Sequence, residues 1–147
     1  MTARLKTHRR LDPLSQEERA ERMSRVRSRG TKPELVVRSL VHLLGYRYRT
    51  HHSALPGRPD LVFASRRAAI FVHGCFWHQH ACGTYKMPAS RPEFWLPKLR
   101  ANVSRDERVL AELAADGWRT LVIWECELRG DPFHLAFRIL DFLEGID

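Results

Sequence analysis

Histidine and cysteine concentrate in one stretch, His73-Gly74-Cys75-Phe76-Trp77-His78-Gln79-His80-Ala81-Cys82, with two large aromatics between the polar groups. The remaining cysteine, Cys126, lies far downstream in Trp124-Glu125-Cys126, at the end of an apolar run that reads as a strand. Soft thiolates and an imidazole suit tetrahedral Zn²⁺, so Cys75, His80, Cys82 and Cys126 would make a closed Cys₃His site. Phe76, Trp77 and His78 would then project from a loop held rigid by metal. Three buried, reduced cysteines with unrelated surface histidines are the alternative. Carboxylates offer a second chemistry: Asp60 opens a short apolar strand, and Glu34 starts a helix. Acids beside histidines are the inventory of a Mg²⁺-dependent phosphodiesterase, in which hard oxygens hold the metal and an imidazole moves a proton. An Asp after Pro also serves as a turn or cap residue, so Asp60 alone decides nothing.

The elements that must position these groups read as α/β. Ser15 and Glu18 fit a capping box opening a polar helix to about Ser28, with Met23 and Val26 its only sizeable apolar residues. Such a helix has little to bury and suits either a DNA surface or solvent. Thr31 and Glu34 open a second helix, whose broad apolar face is Val36, Val37, Leu40, Val41, Leu43 and Leu44. Glu34, Arg38 and His42 recur on the opposite stripe, and Gly45 closes the helix. Tyr46 to Thr50 alternates like a half-exposed strand. Asp60 to Phe63 and Ala68 to His73 form a hairpin through Ser65-Arg66-Arg67, with Ala69, Phe71 and His73 on one face. Ser90 to Glu93 reads as a capping box for a long helix that Pro97 should kink or divide. Trp118 to Trp124 reads as a buried strand, and Pro132 to Leu143 as an amphipathic helix. Trp118 and Trp124 are assigned to the core, His51 and His52 to the surface. The expected organisation is a loose basic arm over 1–14 and one domain over 15–147.

Charge narrows the partner class. Lys and Arg outnumber Asp and Glu by 25 to 17 in 147 residues, and the pI is near 10.1. Such a chain is drawn to polyanions, although basic proteins that bind no nucleic acid are common. An odd cysteine count is not a complete set of internal disulfides, the N-terminus has no secretory pattern, and no apolar run approaches membrane-spanning length. These features lead to the expectation of a cytoplasmic protein without membrane attachment.

Asp60-x₁₀-Phe71-x-His73 resembles a variant of the PD-(D/E)xK nuclease core, with Phe and His in place of the usual acid and lysine. Leu55-Pro56-Gly57-Arg58-Pro59-Asp60, His73 to His78 and Glu93-Phe94-Trp95-Leu96 together resemble the very-short-patch-repair (Vsr) endonucleases. Asn102-Val103, Arg105-Asp106, Trp124-Glu125-Cys126, Arg22 to Val26 and Thr31-x-Pro33-Glu34 extend the resemblance over about residues 20–130.

The resemblance implies a restriction-endonuclease-like fold, a central mixed β-sheet flanked by helices with a structural zinc site. It implies nicking of one strand of duplex DNA beside a T:G mismatch, the product of 5-methylcytosine deamination. Asp60 would be the central Mg²⁺ ligand with the Val72 carbonyl a second, and Glu34 would act through metal-bound water. His78 would be the catalytic histidine, His73 a further active-site histidine, and Asp106 a hydrogen-bond acceptor for an imidazole. Cys75, His80, Cys82 and Cys126 match structural zinc ligands. Phe76, Trp77 and Trp95 match aromatics that wedge into the base stack, and Met23, Arg22, Arg25 and Arg58 are further candidates for DNA contact. A monomer is expected, with a functional link to a cytosine-5 methyltransferase and repair machinery. Gln79, Pro97 and the 1–14 arm depart from the family pattern and leave the flanking sequence unassigned. A related nuclease with relaxed mismatch preference and a non-catalytic zinc-braced binding module are the alternatives.

Overall fold

The structure, a computed structural model, describes residues 14–26 and 29–146. The arm expected over 1–14 therefore lies outside the described residues except for Leu14. Helix α1 (Gln16–Ser24) forms with the expected capping box, Glu18 N donating to Ser15 Oγ at 3.1 Å and Ser15 N to Glu18 Oε2 at 2.7 Å. It stops at Ser24, short of the expected Ser28, which lies outside the described residues.

Helix α2 (Lys32–Leu43) is capped by Thr31. Of the apolar face only Val37 and Val41 are fully buried, with Leu40 and Leu44 partly so, while Val36 and Leu43 face outward. The apolar face is thus narrower than expected, because the sheet and the C-terminal helix cover one edge of α2 only. Tyr46 to Thr50 is not a strand. Arg49 makes a single bridge, exchanging two backbone bonds of 2.9 Å with Val62. The following residue but one, His51, takes a left-handed φ of 57°, which turns the chain out of any ladder.

Strand β1 (Leu61–Phe63) runs antiparallel to β2 (Ala68–His73), and β2 runs parallel to β3 (Arg119–Trp124). The sheet is mixed, as expected, and β2 is central, so five of its six residues are buried. A parallel partner needs a crossover, and α3 (Pro92–Ala115) supplies it. The register pairs His73 with Trp124, setting the two strand ends side by side. At the edge, β3 buries only Ile123 fully, so it is not the buried strand expected.

Helix α3 differs from expectation at its start, and Pro97 does not divide it. Helix geometry begins at Pro92, so Arg91, not Ser90, stands at the cap, and no side chain caps the helix. Pro97 leaves one continuous helix of 24 residues. The carbonyl it orphans is that of Glu93, in the exposed first turn, where solvent can satisfy it.

Helix α4 (Pro132–Glu144) buries Leu135, Ile139 and Leu143 at every fourth position. With Val37, Val41, Leu61, Phe63, Ile70 and Ile123 they form the core. Each such side chain contributes about 1.5–3 kcal/mol on burial. Arg66 and Arg119 cap the C-terminus of α4 by donating to the Leu143 and Phe142 carbonyls. Among the described residues no helix is long and apolar enough to cross a membrane.

Candidate active site

A cleft of about 740 Å³ opens at the end of β2, lined among others by Glu34, Asp60, His73, His78 and Asp106. The Leu55 to Pro59 turn brings Asp60 there. Gly57 makes the turn possible, with φ +71° and its Cα so close to α3 that a Cβ would sit 2.3 Å from Val109 Cγ1. Asp60 N donates to the Ile70 carbonyl at 3.0 Å, and its Oδ2 accepts from Val72 N at 2.7 Å. Burial pushes the Asp60 carboxyl up to about 6; the Val72 N–H and Arg38 pull against that rise, and Glu34 adds to it.

Glu34 is buried, and three donors hold it. Gly30 N reaches Oε2 at 2.8 Å, the Thr31 hydroxyl reaches Oε1 at 3.2 Å, and Arg38 Nη2 reaches Oε2 at 3.2 Å. Asp60 and Glu34 are hard oxygen donors of the cleft, and together with the Val72 carbonyl they fit a magnesium ion in donor type. His73 and His78 stack face to face, ring centroids 3.8 Å apart, and His78 Nδ1 is hydrogen-bonded to the Asp106 carboxylate. Burial, then the facing His78, lowers His73 to about 4, which keeps it neutral at physiological pH.

Behind this pair the four proposed zinc ligands meet, their ligand atoms all within 4.8 Å of one another. His80 Nδ1 lies 3.7 Å from Cys75 Sγ and 3.4 Å from Cys126 Sγ. A tetrahedral zinc with bonds of about 2.0–2.3 Å sets nitrogen and sulfur about 3.5 Å apart, so the donor set and spacing fit that ion. The Thr84 hydroxyl and amide hold Cys82 down to about 6, while burial and the neighbouring thiols push Cys126 up to about 12. Three sulfurs this close do not all ionise without a cation among them.

Phe76 meets Trp77 and Trp95 edge to face and the two tryptophans are tilted on each other, with centroids 5.0 to 6.1 Å apart. All three are half-buried, so they pack on one another while remaining partly open to solvent. Asn102 on α3 donates to the Trp77 carbonyl at 3.0 Å, and Lys98 lies over the Trp77 ring. Met23 and Arg58 also line the cleft. Arg25 is exposed and paired with Glu21, and Arg22 is exposed on α1 outside the cleft lining.

Sequence reasoning misplaced four residues. Trp124 is not simply core: it stacks on His80 at 4.2 Å and meets His73 edge-on, joining the thiol centre to the histidine pair. Trp118 is half-buried under the Arg67 guanidinium. His52 is half-buried rather than a surface residue. Arg38, expected on the solvent stripe, lines the cleft. Its spacing of four from Glu34 on one helix was the available signal.

A family model described as DNA mismatch endonuclease Vsr matches residues 11–84. The chain is 56% identical over 133 residues to the type II nicking enzyme V.XorIIP of Xanthomonas oryzae pv. oryzae, covering 90% of this chain and 97% of that protein. It is 46% identical over 112 residues to the DNA mismatch endonuclease Vsr of Escherichia coli K12, covering 76% and 72%. Among solved structures, the catalytic domain of homing endonuclease I-Bth0305I matches with a TM-score of 0.56 over 80% of this chain and all of that chain. At 24% identity that likeness concerns the fold.

Proposed function

The chain belongs to the Vsr family of DNA mismatch endonucleases, and from that premise we propose that it nicks one strand of duplex DNA beside a T:G mismatch by Mg²⁺-dependent hydrolysis. The endonuclease class itself follows from membership. The observation that carries the finer reading is the convergence in one cleft of Asp60, the His78–Asp106 pair and Trp77.

Asp60 and the Val72 carbonyl would hold the magnesium ion, with Glu34 reaching it through water. Such an ion supplies neutralisation of charge on the phosphate and the leaving oxygen. His78, with Nδ1 committed to Asp106, keeps Nε2 for proton exchange with the attacking water. His73, neutral and stacked on His78, fixes the plane of that ring. Phe76, Trp77 and Trp95 would enter the base stack, and a mismatched step opens at least cost, which turns weak pairing into selectivity. Zinc held by Cys75, His80, Cys82 and Cys126 would keep that loop rigid. In this reading residues 15–147 act as one domain and as a monomer. The repaired lesion links the protein to a cytosine-5 methyltransferase.

The test is cleavage of end-labelled duplexes with Mg²⁺. A nick confined to the T strand of T:G duplexes supports the proposal. Equal nicking of matched duplexes replaces it with a nuclease of relaxed preference.

A further inference from the structure

Arg38 lines the cleft beside Glu34, and the proposed chemistry does not use it. Its side chain is only 17% exposed, and its Nη2 contacts Glu34 Oε2 at 3.2 Å. Its Nε is buried with no hydrogen-bond partner among the described residues. A buried donor without an acceptor costs about 1–3 kcal/mol, and a guanidinium stays charged wherever it is placed. The planar fork matches phosphate oxygens in pairs.

Glu34 has two other donors, Gly30 N and Thr31 Oγ1, so Arg38 is not needed to keep the carboxylate in place. What it adds is positive charge beside both acids of a site meant for a divalent cation. We propose that Arg38 is a positioning residue that occupies Glu34 and disfavours divalent metal until a DNA phosphate enters the cleft. The phosphate then offers the fork and the spare Nε a better acceptor, which frees Glu34 and removes the repulsion. Metal loading thereby becomes dependent on DNA. This inference rests on the nuclease reading above.

The experiment measures Mn²⁺ binding by calorimetry to the full chain, alone and with a T:G duplex carrying a phosphorothioate at the nick position. Wild type should bind weakly alone and more tightly with DNA. Arg38→Met and Arg38→Gln should bind Mn²⁺ roughly five- to tenfold more tightly without DNA, and the gain from DNA should shrink by the same factor. Arg38→Lys keeps the charge and should resemble wild type without DNA. Unchanged or weaker affinity in both neutral variants, with the DNA gain intact, overturns the inference while leaving the nuclease reading standing. Wild type that takes up no Mn²⁺ sensitive to Asp60→Asn, with or without DNA, removes that reading and this inference together.

Discussion

The Nδ1 of His78 is hydrogen-bonded to the carboxylate of Asp106, tying the loop after β2 to the middle of α3. That bond fixes the ring's plane and tautomer and leaves Nε2 as the proton-transfer atom. Asp106→Asn preserves the shape and removes the charge. It should lower kcat for nicking about 10²-fold, with little change in KM for DNA. Single-turnover rates over a range of DNA concentrations check it, and a change confined to KM contradicts it.

The thiol–imidazole centre predicts stoichiometric zinc in the purified protein. Cys126→Ser should lose it and lower Tm by roughly 10 °C. Elemental analysis and a thermal melt measure both. Zinc-free wild type of unchanged Tm contradicts the assignment.

Trp77 is half-buried, its carbonyl held by Asn102 and its ring under Lys98. Trp77→Ala should reduce the T:G over T:A ratio of kcat/KM roughly tenfold, because the cost of opening a step then falls on DNA alone. Equal losses on both duplexes would return the residue to packing.

Gly57 separates two effects within one turn. Gly57→Ala should destabilise the fold by about 2–4 kcal/mol, from the positive φ and from overlap with Val109. Adding Val109→Ala should recover the overlap and leave about 1–2 kcal/mol for the backbone. Urea unfolding of wild type and the two variants reads this directly. A neutral single variant contradicts the close approach.

Much of the site was legible because its groups lie close in sequence. Cys75, His80 and Cys82 share one loop, so ligand chemistry shows without any fold. Cys126 follows β3, so its place beside that loop depends on β3 pairing with β2, which the His73–Trp124 register supplies. Arg38 and Trp124 were misread because a helical stripe or an apolar run does not say what covers it. Tyr46 to Thr50 alternates as a strand does, but pairing depends on a partner, and β1 is three residues long. Ser90 has the right type for a cap and stands one residue too early. Such one-residue offsets are set by packing of the helix, here by where Pro92 begins α3.

Asp60 carries the central claim, since its carboxylate, held by the Val72 amide, is the one acid at the end of the central hairpin. The direct measurement is Mg²⁺-dependent nicking of a T:G duplex by wild type and Asp60→Asn, with binding to the same duplex measured in parallel. The account predicts a single nick beside the T with wild type. With Asp60→Asn it predicts turnover lowered by about 10³-fold or more and affinity retained within a few fold. Turnover near the wild-type rate in Asp60→Asn would contradict it.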